Sequence, residues 1–131
     1  IDDAPNLLMS GYGLTLSNLP SNTKVRVDVQ VWMNNSTSSK EEIFVALTTS
    51  KTSHSNNYVR EVFWEADPSE QGLATYSKVL TLSGTVNIGL ALDSKDNATT
   101  GLEVRLGGIY PDVIMSATIV DHTSTTYSSG G

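Results

Sequence analysis

Nucleophilic catalysis needs a nucleophile held beside a base, and this chain offers two histidines for that work, His54 and His122. His54 falls in a polar stretch, Thr49 to Asn57, that also holds Lys51 and several Ser and Asn residues. His122 follows Asp121 directly, and sequence neighbours on a strand point to opposite faces, so the pair makes no dyad there. A Gly-x-Ser-x-Gly elbow is missing. Both histidines are read as solvated, and the chain as non-enzymatic. Glycoside hydrolysis would need two carboxyl groups about 5–9.5 Å apart. Glu61 and Glu65 share a strand face by simple alternation, but about 13 Å apart along the backbone; Glu65 and Asp67 stand closer, at a strand end. In a chain with 14 Asp and Glu residues these are expected to be surface carboxylates.

Hard oxygen donors gather at Asp93, Asp96 and Asn97, with Glu103 downstream. Oxygen ligands in a turn suit calcium, the one cofactor the sequence leaves open, although the spacing is not that of an EF-hand and a polar hairpin loop explains it as well. Glu65, Asp67 and Glu70 form a second acidic group. Gly11-Tyr12-Gly13 and Gly107-Gly108 are too short for a phosphate-cradling loop and neither opens a helix. Sugar recognition would use an aromatic ring on a polar surface. Trp32 falls on the same strand face as Lys24, Arg26, Asp28 and Gln30, and Tyr58 and Trp64 lie near strand ends, so these three are the candidate ligand-binding residues. For Trp32, sugar stacking, a subunit contact and local packing all stay open. Asn34-Asn35-Ser36-Thr37 and Asn97-Ala98-Thr99 hold N-glycosylation patterns of the kind that chance supplies in an Asn-, Ser- and Thr-rich chain.

The elements that must position these residues are strands. Val25, Val27, Val29 and Val31 alternate with polar residues over Lys24 to Met33, a period of two that belongs to a strand with one buried and one wet face. Valine is stiff at its first torsion and fits a pleated sheet. Tyr12 to Leu16, Ile43 to Thr48, Tyr58 to Trp64, Tyr76 to Leu82, Thr85 to Leu92, Leu102 to Leu106 and Val113 to Val120 read as further strands. Asn18 to Asn22, with Pro20, reads as a turn, and Ser83-Gly84 as a hairpin turn. Asp67 to Gln71 is expected to form one helical turn that Gly72 ends. About eight strands at this spacing predict an all-β, antiparallel, jelly-roll-like sandwich. Residues 1–122 form the single domain, with 1–11 as an N-terminal arm; 123–131 are expected to be a flexible Ser/Thr/Gly tail. Leu7-Leu8-Met9 is an apolar trio ahead of the first clear strand, either a cover on the domain's own core or an arm that packs on a neighbouring subunit. With Trp32, these residues are the candidate assembly interface.

Composition bounds the partners. The 131 residues carry a net charge of −6, and the eight Lys and Arg are spread along the whole length, so neither nucleic acid nor an anionic membrane surface is an expected partner. No apolar run approaches the roughly 20 residues that span a bilayer. Without cysteine there is no disulfide framework and no thiolate metal site, and a chain of this size does not need them to fold. Ile1 in the place of a methionine is expected of a processed chain, a fragment, or the ordered part of a longer chain.

The run Leu14-Thr15-Leu16-Ser17-Asn18-Leu19-Pro20-Ser21-Asn22-Thr23-Lys24-Val25-Arg26-Val27, with the later strand Thr85-Val86-Asn87-Ile88-Gly89-Leu90-Ala91-Leu92, resembles jelly-roll modules on the virion surface of phages, such as decoration proteins and tail-fibre heads. The resemblance is one of style across most of the chain, and no motif carries a functional residue over. It implies a non-enzymatic homo-oligomer, a trimer above other sizes, at a virion surface or otherwise extracellular, in contact with copies of itself, other surface proteins and glycans. Two alternatives stand beside it. One is a carbohydrate-binding module of a larger secreted enzyme or adhesin. The other is a pilus or matrix-fibre subunit in which residues 1–16 complete the sheet of the next subunit.

Overall fold

The computed structural model describes residues 7–9, 12–53, 56–94, 101–106 and 108–121. It contains seven strands and no helix among those residues: β1 (Leu7–Leu8), β2 (Leu14–Asn35), β3 (Glu41–Thr48), β4 (Asn57–Ala66), β5 (Gln71–Ser94), β6 (Leu102–Arg105) and β7 (Ile114–Asp121). All pairings are antiparallel. The front sheet is built on β2, which pairs with β5 along one edge and with β7 and then β6 along the other. In the back sheet the last part of β5 lies between β3 and β1, and β4 lies beyond β3. Strand β5 therefore belongs to both sheets, and its inward side chains join them into one sandwich.

The valine alternation decides which face is the core. Val25, Val27, Val29, Val31 and Met33 are almost fully buried, as are Ile43, Val45 and Leu47 of β3 and Ile88, Leu90 and Leu92 of β5. These residues form a single cluster with Leu19, Phe63, Ala74, Leu80, Leu82 and Leu102. At roughly 1.5–3 kcal/mol per fully buried aliphatic side chain, this cluster is the main favourable term in folding.

Two expected turns are absent, because β2 and β5 run straight through them. Strand β2 is 22 residues long and β5 is 24. Pro20 and Ser83-Gly84 sit inside a shared irregularity, where the register shifts on either side of the Leu19–Gly84 pair. Asn18, Asn22 and Gly84 take positive φ there, at 57°, 58° and 73°. An irregularity of this kind bends a ribbon without ending it. Hence seven strands replace the expected eight. The expected helical turn at Asp67–Gln71 is instead a β-turn: Pro68 occupies its second position, Ser69 its third with φ 67°, and the Glu70 N–H donates to the Asp67 carbonyl at 3.1 Å. Gly72 lies within β5.

The N-terminal trio is used within its own chain. Leu7 and Leu8 pair with Leu92 and Ala91, and Met9 is 7% exposed, joins the core and donates its N–H to the Leu90 carbonyl at 2.8 Å. Met9 is thus part of the core. Leu14 to Leu16 likewise pair with Ile88 to Val86 of the same chain.

Candidate interaction surface

On the front sheet, direct cross-strand partners share a face. Trp32 of β2 thus lies between Leu73 of β5 and Arg105 of β6, and Gln30 between Thr75 and Ile114 of β7. Farther along, Arg26 and Asp28 form an ion pair at 3.0 Å. A hydrogen bond from the Ser77 side chain, with help from Arg26, holds the Asp28 carboxyl below its ordinary pKa.

Strands β6 and β7 follow one another along the same edge of β2. Arg105 pairs with Trp32 and Ile114 with Gln30, so an eight-residue excursion, 106–113, leaves and returns two residues apart on β2. Two contacts fasten its return. Gln30 Nε2 donates to the Asp112 carbonyl at 3.1 Å, and the Tyr110 ring rests tilted against Trp32, with centroids 6.2 Å apart and an angle of 36°. Ile109 stands at the tip, 93% exposed, with Leu106 at 55%. A groove of about 680 Å³ runs beside the excursion, between Tyr12 and Leu14 on one side and Leu106, Val113 and Met115 on the other.

Trp32 occupies the outward face that the alternation predicts. It is half-buried, and its Nε1 and the Nε of neighbouring Arg105 are both shielded from solvent without an acceptor among the described residues. The other two candidate aromatics are elsewhere. Tyr58 and Trp64 of β4 pack against the core from the back sheet. The Tyr58 hydroxyl donates to the Asn87 carbonyl at 3.1 Å, and burial pushes its pKa up. Trp64 turns inward because Phe63 is an extra residue in β4: Ile43 pairs with Trp64, but Phe44 pairs with Val62. The same bulge separates Glu61, opposite Val45, from Glu65, opposite Glu42, and places them on opposite faces, contrary to simple alternation. Trp32, Tyr58 and Trp64 therefore do not share one surface.

Of the candidate calcium ligands, Asp93 is engaged by Arg60 on the back sheet, where the guanidinium also lies 4.3 Å from the centre of the Phe44 ring. Glu103, on β6, accepts from Arg105 at 3.2 Å and from Asn34 at 3.3 Å. Asp96 and Asn97 lie outside the described residues, as do His54, His122, the 123–131 tail and most of the arm. Among the described residues no group of three His, Cys, Asp or Glu side chains is placed to hold a metal. Glu61 bridges to Lys78 at 2.8 Å across the open side of the sandwich, and this contact lowers the pKa of its carboxyl. Burial, with the Glu61 charge beside it, pushes the Tyr76 hydroxyl well above its ordinary pKa. Asn35 is fully buried and Asn34 is 8% exposed, so the glycosylation pattern at Asn34–Thr37 presents no accessible acceptor.

Spacing along the chain does not single out Leu73, Ile109 and Ile114. Their signal was faint: β7 carries apolar residues on both of its faces, as Ile114, Met115, Ile119 and Val120.

No protein-family model matches this chain, and no curated protein matches it. Among solved structures, it is similar to a chain in the structure of infectious bursal disease virus, Gx strain. The TM-score is 0.38 and the identity 12%, over 90% of this chain and 30% of that one.

Proposed function

We propose that this chain is a non-catalytic structural and assembly module of a virion surface, a capsid-decorating protein or a fibre-tip head, that works by contact with copies of itself and with neighbouring surface proteins. The observation that carries this reading is the concentration of exposed apolar side chains on one of the two sheets. Among the described residues eight large hydrophobic side chains are exposed, and seven of them (Leu73, Val79, Leu106, Ile109, Ile114, Ile119 and Val120) belong to the front sheet or its excursion, leaving only Val62 on the back. Such concentration marks a contact surface, whereas single exposed hydrophobics scattered over a protein need no explanation. The virion setting comes from the resemblance of the two strand runs to phage jelly-roll modules. A glycan contact, as in the carbohydrate-binding alternative, is favoured at one place, where Trp32 and Tyr110 stand together beside Gln30. Light scattering of the purified chain across a wide concentration range tests the proposal. A mass above that of the monomer, and rising with concentration, is expected. A monomer mass at every concentration overturns it.

A further inference from the structure

We infer that the outer edge of β7 is a two-fold interface, at which a second copy of this chain pairs its own β7 antiparallel about Ala117. The inference rests on the assembly reading and assigns its surface. Among the described residues the longer strand edges without a partner strand are those of β4, of the Gln71–Leu82 part of β5, and of β7. Proteins that stay apart blunt such edges with charge, lysine above all, or with proline. Strand β4 carries Arg60, Glu61 and Glu65, and the β5 edge carries Lys78. From Ile114 to Val120, β7 carries no charge and no proline, and its one bulge lies at the far end, at Val120, leaving Ile114 to Ile119 regular. In a chain of net charge −6, two copies repel except where the local charge is nil, and this strand is such a place.

The strand is also complementary to itself. Read outward from Ala117, Ser116 mirrors Thr118 and Met115 mirrors Ile119; Val120, beyond them, is the extra residue of a bulge at the end of the strand. An antiparallel pair about Ala117 therefore sets hydroxyl opposite hydroxyl and apolar opposite apolar, the favourable cross-strand pairs. A two-fold contact requires this kind of symmetry, because the same patch serves both partners. Pairing would cover Ile114, Ile119 and Val120, now 46%, 48% and 44% exposed. It would also set the end of the partner's strand beside Ile114, next to the groove between Tyr12 and Met115, which enlarges the contact beyond one strand. The front sheets of the two copies then form one continuous sheet.

Ser116 and Thr118 are exposed, which makes them the positions to change. Paired charges placed there by S116K/T118K put like charges directly opposite one another and are expected to weaken self-association about thirtyfold or more. S116E/T118E should do the same. An equimolar mixture of the two variants should regain the dimer mass in sedimentation, while each alone keeps the wild-type circular dichroism, which reports the fold without the stabilisation that association adds to the melting temperature. A second measurement does not depend on those variants folding. The chain has no cysteine, so Ala117→Cys should form a disulfide dimer on mild oxidation, at least tenfold faster than Ser116→Cys, whose sulfurs would be offset across the two-fold axis. If the wild type associates but S116K/T118K associates equally well and Ala117→Cys shows no preference, the β7 edge is overturned while the assembly reading stands. A wild type that stays monomeric throughout overturns both.

Discussion

Asn35 shows how much one side chain can organise. It is fully buried at the end of β2, and its Nδ2 donates to the carbonyls of Ser39, Ala66 and Asp67 at 3.0, 3.2 and 3.1 Å. Its Oδ1 accepts from the Thr37 N–H at 2.9 Å and from the Thr37 hydroxyl at 2.6 Å. The turn after β2 and the end of β4 are thus tied to one amide. Asn35→Ala would leave several of these groups without a partner, and urea denaturation is expected to show a loss of about 2–4 kcal/mol. Tyr76 gives a second expectation at this scale. Its folded pKa lies above the ordinary value of 10.0 because burial and the nearby Glu61 charge both oppose ionisation. Below the unfolded pKa both states keep the proton and nothing is lost. As pH rises past that value the unfolded chain ionises first, so stability falls until the folded hydroxyl titrates as well. Melting temperatures measured on either side of pH 10 should show this alkaline loss in the wild type, and a smaller one in Tyr76→Phe.

Among the elements, β5 decides the architecture. It enters as an edge of the front sheet, passes Gly84 and ends between β3 and β1 in the back sheet. Its two halves, Tyr76 to Leu82 and Thr85 to Leu92, were legible as strands. Its continuity was not. Ser-Gly between two alternating runs is a hairpin signal when only neighbours in sequence are considered. Here β2 supplies partners on both sides of the interruption, and Gly84 absorbs the irregularity with a φ that other residues resist. Gly89 serves the same strand differently. A Cβ there would lie 2.2 Å from the Ser50 carbonyl oxygen and 2.2 Å from the Thr48 hydroxyl, so the segment after β3 lies directly on the backbone of β5. Gly89→Ala must push that backbone away, at a cost of about 1–3 kcal/mol. Thermal unfolding should show a clear drop in melting temperature, whereas alanine at Gly72, which has open space around it, should change little beyond local strand preference.

At the scale of the whole molecule, charge and apolar surface oppose each other. A net charge of −6 keeps copies apart, and the exposed apolar residues of the front sheet draw them together. Salt shortens the reach of the first and leaves the second, with a Debye length near 10 Å at 0.1 M and near 3 Å at 1 M. Self-association measured by sedimentation should therefore strengthen as sodium chloride is raised. Weakening with salt would show that attraction between opposite charges, and not apolar burial, holds the copies together.

Sequence alone determined the class of the fold and the direction in which its best strand faces. Period-two alternation of valines against charged residues has one inexpensive solution, a pleated strand with its valines inside, and Trp32 fell on the outward face for the same reason. Only the tertiary structure decided what lies beside Trp32. Tyr110 reaches it through an excursion whose two ends meet on β2, a closeness that no local pattern encodes. Only the tertiary structure, too, brought Met9 into its own core and turned Trp64 inward, because strand pairing and a single extra residue at Phe63 set which face each side chain takes. Alternation is a property of neighbours along the chain. Register is a property of neighbours across it, and the candidate surface of this protein is made by register.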